Sequence, residues 1–347
     1  MQGNSFVWAL LIVIAGGITQ GAYSIPLKYA KKWEWENMWG AGSLVALALV
    51  PWPLAFLTVP NLVGVLSSAS AKSVLAALLF GAGWGVGGVF FGLGIAALGM
   101  SLGLSLIMGL VAVGGSIVPL LMKYPDQLLR PAGLVLIAGI IVMLLGLAAC
   151  GRAGQLKDSS TKRSETGELG QARKASFKLG LFFCIASGLT SPLVNFGLIF
   201  GADISHAAIR QGATPSNANN AIWALVFSAN YIVNIAYAGY LAGKRHTFAK
   251  FLQKGLASYW AAAVYLGILW AGGIVIYGVG ATQMGKFGAF LGYPVMLIAA
   301  ILTGNTLGVF TGEWRGVPSR PKLAMTAGVC LLMFAIVILA YSSRLMS

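Results

Sequence analysis

The chain has 347 residues, 58% of them hydrophobic and 9% charged, and its 23 basic against 8 acidic residues give a net charge of +15. Soluble domains carry about 25% charged residues, so a water-soluble globular protein is excluded. The basic excess points to a membrane surface rather than to nucleic acid, because Lys and Arg gather in the cytoplasmic loops of membrane proteins.

Apolar runs of roughly 20 residues, the length that crosses a bilayer, occupy 6–26, 38–57, 73–97, 101–122, 132–150, 178–200, 219–242, 256–280, 285–310 and 322–342. They predict an all-α integral membrane protein of ten transmembrane helices. The loops after the first, third, fifth, seventh and ninth spans hold 17 of the 23 basic residues. That asymmetry predicts that these loops lie in the cytoplasm and both termini outside. "MQGNSF" has no basic residue ahead of the first apolar run, and no small-residue cleavage site follows, so no cleaved leader is expected.

The first span contributes "GITQGAY", with Gln20 and Tyr23, and the aromatic stretch "KKWEWENMW" follows from Lys31 to Trp39. Glycine dominates the third span, which reads "WGVGGVFFGLGIAALG" from Trp84. In water each glycine would weaken a helix by roughly 1 kcal/mol against alanine. In lipid, small residues four apart let helix backbones approach closely. "GMSLG" at Gly99 has the form of a nucleophile motif, but it sits in a short turn between spans, and only His206 and His246 could serve a serine. Residues 151–177 are polar, basic and rich in Ser, Gly and Thr. They read as a cytoplasmic linker between two five-helix halves, 1–150 and 178–347.

In the sixth span Asn195 is polar, and Asp203 and His206 follow it on the predicted outer side as candidates for proton coupling. The seventh span places Trp223, Phe227, Asn230, Asn234 and Tyr237 at intervals of 4, 3, 4 and 3, which is one helix face. Paired carboxamides flanked by rings suit a sugar, since amides bond hydroxyls and ring faces pack on C–H surface. The eighth span reads "WAGGIVIYGVGATQMG" from Trp270 and repeats the third at a constant offset of 186. Trp84 meets Trp270, Gly87 meets Gly273, Phe91 meets Tyr277, and Gly92, Gly94 and Gly99 meet Gly278, Gly280 and Gly285. "GITQ" at Gly17 is echoed by "GLTS" at Gly188. Five spans is an odd number, so the second copy enters the membrane from the other side. Secondary transporters use this inverted plan, with substrate near the midplane between repeats. Trp84 and Trp270 lie inside their spans rather than at the interface, which makes them binding candidates.

Asn305 in the ninth span extends the polar set. "GATQMGKF" at Gly280 resembles a phosphate loop, but Phe287 stands where Ser or Thr would meet magnesium. Cys150, Cys184 and Cys330 have no disulfide or metal spacing. Without paired intramembrane carboxylates or a catalytic motif, no enzyme, cofactor or metal is expected.

Together "KKWEWENMW", "FGAGWGVG" (Phe80 to Gly87), "LGMSLG" (Leu98 to Gly103), "RAGQLK" (Arg152 to Lys157), "EW" at Glu313 and "RP" at Arg320 resemble the bacterial L-rhamnose–proton symporter family of the drug/metabolite transporter superfamily. The resemblance runs nearly end to end. It implies ten helices in two inverted five-helix repeats, and uptake of a deoxy sugar driven by protons. Trp84, Asn234, Trp270 and Tyr277 match the family's own positions, whereas Asn195 and Asn230 do not. Where enterobacterial members carry a Gln in the eighth span, this chain has Gly273. The predicted partners are therefore a small sugar, protons and the lipid bilayer, with no nucleic acid. The predicted substrate set is Gln20, Tyr23, Trp84, Asn195, Asn230, Asn234, Trp270, Tyr277 and Asn305. An exporter of drugs or metabolites on the same fold, and a sugar sensor without transport, are the alternatives.

Overall fold

A computed structural model describes residues 3–23, 25, 32–161, 170–253, 255–285 and 288–346. The basic residues at 28, 31, 162, 163, 254 and 286, and Phe287, lie outside the described residues. Every regular element among the described residues is helical. Nine of these helices are long and apolar enough to cross a membrane, and Phe6–Ala22 is a shorter apolar one. A helix closes its own backbone hydrogen bonds, which is what a chain in hydrocarbon requires.

The first half begins with α1 (Gly3–Ala22) and α2 (Trp35–Leu44). A π-helical turn at Val45–Leu49 joins α2 to α3 (Pro51–Thr58), whose first residue is proline. Proline lacks an N–H and suits the first helical position, where no donor is needed. After the short α4 (Leu62–Ser68) comes α5 (Ala71–Leu98), capped by the Ser70 side chain on the Ser73 N–H. Gly99 alone separates α5 from α6 (Met100–Lys123), at φ +82, a backbone conformation that side chains with a Cβ disfavour. The half ends with α7 (Pro125–Leu128) and α8 (Pro131–Thr161).

The second half follows with α9 (Gly170–Thr190), α10 (Leu193–Phe200) and α11 (Ala202–Arg210). Pro192 falls at the break between α9 and α10, where its missing N–H interrupts no bond. Then come α12 (Asn220–Lys244), α13 (Ala257–Gln283), α14 (Gly288–Phe310) and α15 (Ser319–Met346). The helical stretches of α8 and α9 extend into the polar segment 151–177, so that segment is helical at both ends.

Packing places α1 against α13 and α14, and α9 against α5 and α6. In the same way α12 lies on α5, α2 lies on α13, and α8 pairs with α15. Glycines set these contacts. A Cβ on Gly273 would stand 2.8 Å from the Gly16 carbonyl oxygen and the Gln20 backbone nitrogen. One on Gly87 would stand 2.8 Å from the Thr190 hydroxyl and 2.9 Å from the Ser191 nitrogen. The outer surface is apolar, as lipid contact demands, with Trp8, Leu79, Phe334 and Val337 all more than half exposed.

Candidate functional site

The helix crossings bring the sequence's aromatic and carboxamide residues together between α5, α12, α13 and the start of α2. Trp84 of α5 and Trp270 of α13 are both buried and stack on each other, with centroids 5.2 Å apart and planes 16° from parallel. Phe227 of α12 covers both rings at 5.7 and 5.9 Å, and Trp223 lies one turn further along at 5.5 Å from Phe227. These distances are in the range where aromatic pairs attract through offset or edge contacts.

One turn beyond Phe227 the same α12 face becomes polar. Asn234 Nδ2 donates to Asn230 Oδ1 at 2.5 Å and to the Asn230 carbonyl at 3.1 Å. Trp39 Nε1 donates to Asn234 Oδ1 at 2.8 Å, while its ring meets the edge of Trp270 at 6.1 Å. Trp35 stacks on Trp39 and touches Tyr237 at 6.2 Å. The predicted spacing therefore holds, and the glycines of α5 make room for it. A Cβ on Gly85 would lie 3.0 Å from the Asn230 carbonyl oxygen, and one on Gly88 would lie 3.6 Å from Asn234 Oδ1. The glycine stripe admits the asparagines.

Gln20 of α1 faces the same crossing from the other side. Its Oε1 is enclosed without a hydrogen-bond partner among the described residues and would sit 2.9 Å from a Cβ on Gly273, one turn along from Trp270. Such an acceptor is costly to leave unpaired. Asn195 and Tyr277 form a separate node. Asn195 Nδ2 donates to the Gly115 carbonyl at 2.7 Å, Tyr277 Oη donates to Asn195 Oδ1 at 3.0 Å, and Tyr277 rests on Tyr293 at 5.8 Å. These contacts tie α6, α10, α13 and α14 together. Tyr23, just past α1, packs on the cluster formed by Trp33, Met38 and Leu266.

Two predicted groups lie elsewhere. Asn305 borders a cavity of about 130 Å³ that also includes Ser105, Cys150, Lys157, Glu313 and Trp314, and its Nδ2 is 3.9 Å from Cys150 Sγ. Asp203 accepts the Ser70 backbone N–H at 2.7 Å and thereby anchors the start of α5 beside His206 of α11. Neither Asn305 nor Asp203 bonds a residue of the Trp84–Trp270 cluster among the described contacts.

Sequence reasoning had not assigned Trp35 and Trp39 to the site. Their spacing of four places them on one face of α2, but they fall at the end of a span, where tryptophan is common for interfacial reasons.

The family model described as L-rhamnose-proton symport protein matches residues 2–343. Similar proteins include the L-rhamnose-proton symporters of Shigella boydii and Escherichia coli, each 25% identical over 342 residues, covering 96% of this chain and 97% of theirs. That of Yersinia pestis is 24% identical over 350 residues with the same coverage.

Proposed function

Because the chain belongs to the L-rhamnose-proton symport protein family, we propose that it carries L-rhamnose, or a closely related deoxyhexose, inward with protons by alternating access. It is a multi-pass secondary transporter and not an enzyme. The observation that carries the sugar assignment is the convergence of the Trp84–Trp270 stack with Asn230, Asn234 and the unpaired Gln20 oxygen. A deoxyhexose offers both a hydrocarbon face and hydroxyls, and this site offers both complements. The two indoles lie against each other, so the sugar reaches the facing sides of the rings only when α5 and α13 part. Neither the exporter nor the sensor reading draws support from these relatives.

The same reading takes the ten spans as two inverted five-helix repeats, 1–150 and 178–347, joined by the basic segment 151–177. Several contacts support it. Exchanging the halves carries one set of contacts onto another: α1 on α13 becomes α9 on α5, and α2 on α13 becomes α12 on α5. The aligned turn glycines, Gly99 and Gly285, have φ of +82 and +83. Positions 171 apart relate α1 to α9. A Cβ on Gly94 would meet Cys184, and one on Gly280 would meet Val13. Likewise Gly188 faces Leu110, while Gly17 faces Met296. Trp84 and Trp270, equivalent under the offset of 186, touch each other, as residues beside a two-fold axis must.

Proteoliposomes given an inward proton gradient are expected to accumulate labelled L-rhamnose, and accumulation should collapse when a protonophore is added. If no member of a panel of deoxyhexoses and hexoses accumulates, sugar symport is wrong. In the same assay Asn234→Ala should raise the half-saturating sugar concentration about 5- to 150-fold, the span of one buried hydrogen bond of about 1–3 kcal/mol. Unchanged affinity would remove Asn234 from the site. The inner bacterial membrane is the proposed location, with basic loops in the cytoplasm and both termini in the periplasm. A reporter active only in the periplasm should therefore be on when fused at Ser347, and a silent fusion would reverse the orientation.

A further inference from the structure

Glu36 is the only acidic residue among the described side chains that is fully buried. It lies in the first turn of α2, three residues before Trp39, so one helix face carries both. Arg245 Nη1, just past α12, donates to Glu36 Oε2 at 3.0 Å, and Thr247 Oγ1 donates to Glu36 Oε1 at 3.0 Å. The next contacts continue the same seam between the halves. Asn37 Nδ2 donates to the Thr247 carbonyl at 3.0 Å, and Trp33 Nε1 donates to the Lys250 carbonyl at 3.3 Å. Lys250 Nζ donates to Glu34 Oε1 at 2.7 Å, which holds the Glu34 carboxyl below its usual range. The ring of Trp33 packs among Phe251, Tyr259 and Trp260.

We propose that Glu36 is the proton-coupling carboxylate of the transport cycle and that its pair with Arg245 latches the two halves on the side where α2 begins and α12 ends. The proposal rests on the transport reading above. Its physical basis is an asymmetry. The Glu36 side chain is 0% exposed, while that of Arg245 is 54% exposed. Parting α2 from α12 while Glu36 is charged strips a buried carboxylate of its partner, which is the costly way to break such a pair. Parting them after Glu36 has bound one proton leaves a neutral acid and an arginine already in water. The proton comes from water and returns to it: carboxylate plus proton gives carboxylic acid, and Arg245 keeps its charge throughout. Loss of the proton restores the pair and closes the seam.

Among the described residues, the ionisable groups around this carboxylate are few. They are Arg245 and His246 in the turn after α12, Tyr237 on α12, Glu34 and Lys250 across the seam, and Tyr259 on α13, whose Oη accepts the Lys32 backbone N–H at 3.3 Å. Lys244 turns away onto the ring of Tyr240. Among the described residues, Arg245 is the cation that bonds Glu36 directly.

Glu36→Gln mimics the protonated acid in shape. Proteoliposomes bearing it should lose at least ten-fold of proton-driven accumulation, yet keep sugar-for-sugar counterflow within about two-fold, since exchange needs no net proton movement. Full accumulation by Glu36→Gln would overturn the proposal. So would equal loss of counterflow and accumulation, which marks a merely structural residue. Arg245→Gln gives a second reading at a half-exposed position. Without its cation the latch cannot close as an ion pair, so proton-driven accumulation should fall at least ten-fold while counterflow stays within about two-fold. Equal loss of both contradicts the assignment. Wild-type protein that exchanges no sugar at all would instead overturn the transport reading itself.

Discussion

Trp270→Ala is expected to lower L-rhamnose uptake at limiting sugar by about 30-fold or more while the protein still reaches the membrane. A buried tryptophan at the centre of a binding site commonly contributes at least about 2 kcal/mol, and here the ring is also the stacking partner of Trp84 and the edge partner of Trp39. Truncation leaves a cavity beside Phe227 that could weaken folding as well. Trp270→Phe separates the two effects, since it keeps an apolar ring in place and should recover much of the stability with only part of the uptake. Trp84→Ala should resemble Trp270→Ala. The double variant should fall short of the summed losses, because residues in direct contact are not additive. Uptake by Trp270→Ala within two-fold of wild type would remove the indole pair from the sugar path.

Gly273→Val should be the other severe change. Its added carbon meets backbone atoms of α1, the Gly16 oxygen and the Gln20 nitrogen, each 2.8 Å away. Backbone cannot rotate aside as a side chain can, so α1 must move off α13, at an overpacking cost of about 1–3 kcal/mol. The same displacement carries Gln20 away from the Trp270 crossing, so uptake should fall at least ten-fold along with a lower melting temperature. The neighbouring Gly272 is the internal control, since a Cβ there meets nothing within 4 Å. Gly272→Val should leave uptake within two-fold. If the two variants behave alike, the close α1–α13 contact does not matter to function. Gly87→Val tests the equivalent contact between α5 and α9, where the Ser191 nitrogen stands 2.9 Å from the added carbon.

Much of this architecture is readable from hydropathy and spacing, because a bilayer allows few solutions. The third span, read as 73–97, is α5 at Ala71–Leu98, and the seventh, read as 219–242, is α12 at Asn220–Lys244. The 4-3-4-3 spacing of Trp223 to Tyr237 is a property of the helix, so its face is readable before any neighbour is known. What hydropathy cannot give is direction in space. Asn305 is polar inside an apolar run, as Asn234 is, yet it borders the Cys150 cavity while Asn234 meets Trp39. Polarity says that a residue wants a partner and not which helix supplies it. Trp39 shows the converse, since its role depends on α2 leaning over α13, a tertiary contact with no local signal. The π-helical turn at Val45–Leu49 is likewise silent in an even apolar run. The polar residues up to Thr161 read as part of a linker because their composition carries no apolar period, and α8 continues through them.

The central claim is that sugar binds where the two glycine-rich helices cross, against Trp84, Trp270 and the asparagines of α12. A structure determined with L-rhamnose bound tests it most directly. The account predicts the sugar ring against the indole faces, the Trp84–Trp270 stack opened, and hydroxyls bonded to Asn230, Asn234 and Gln20. A sugar seated instead in the cavity beside Cys150 and Asn305, with the indole stack intact, would contradict it.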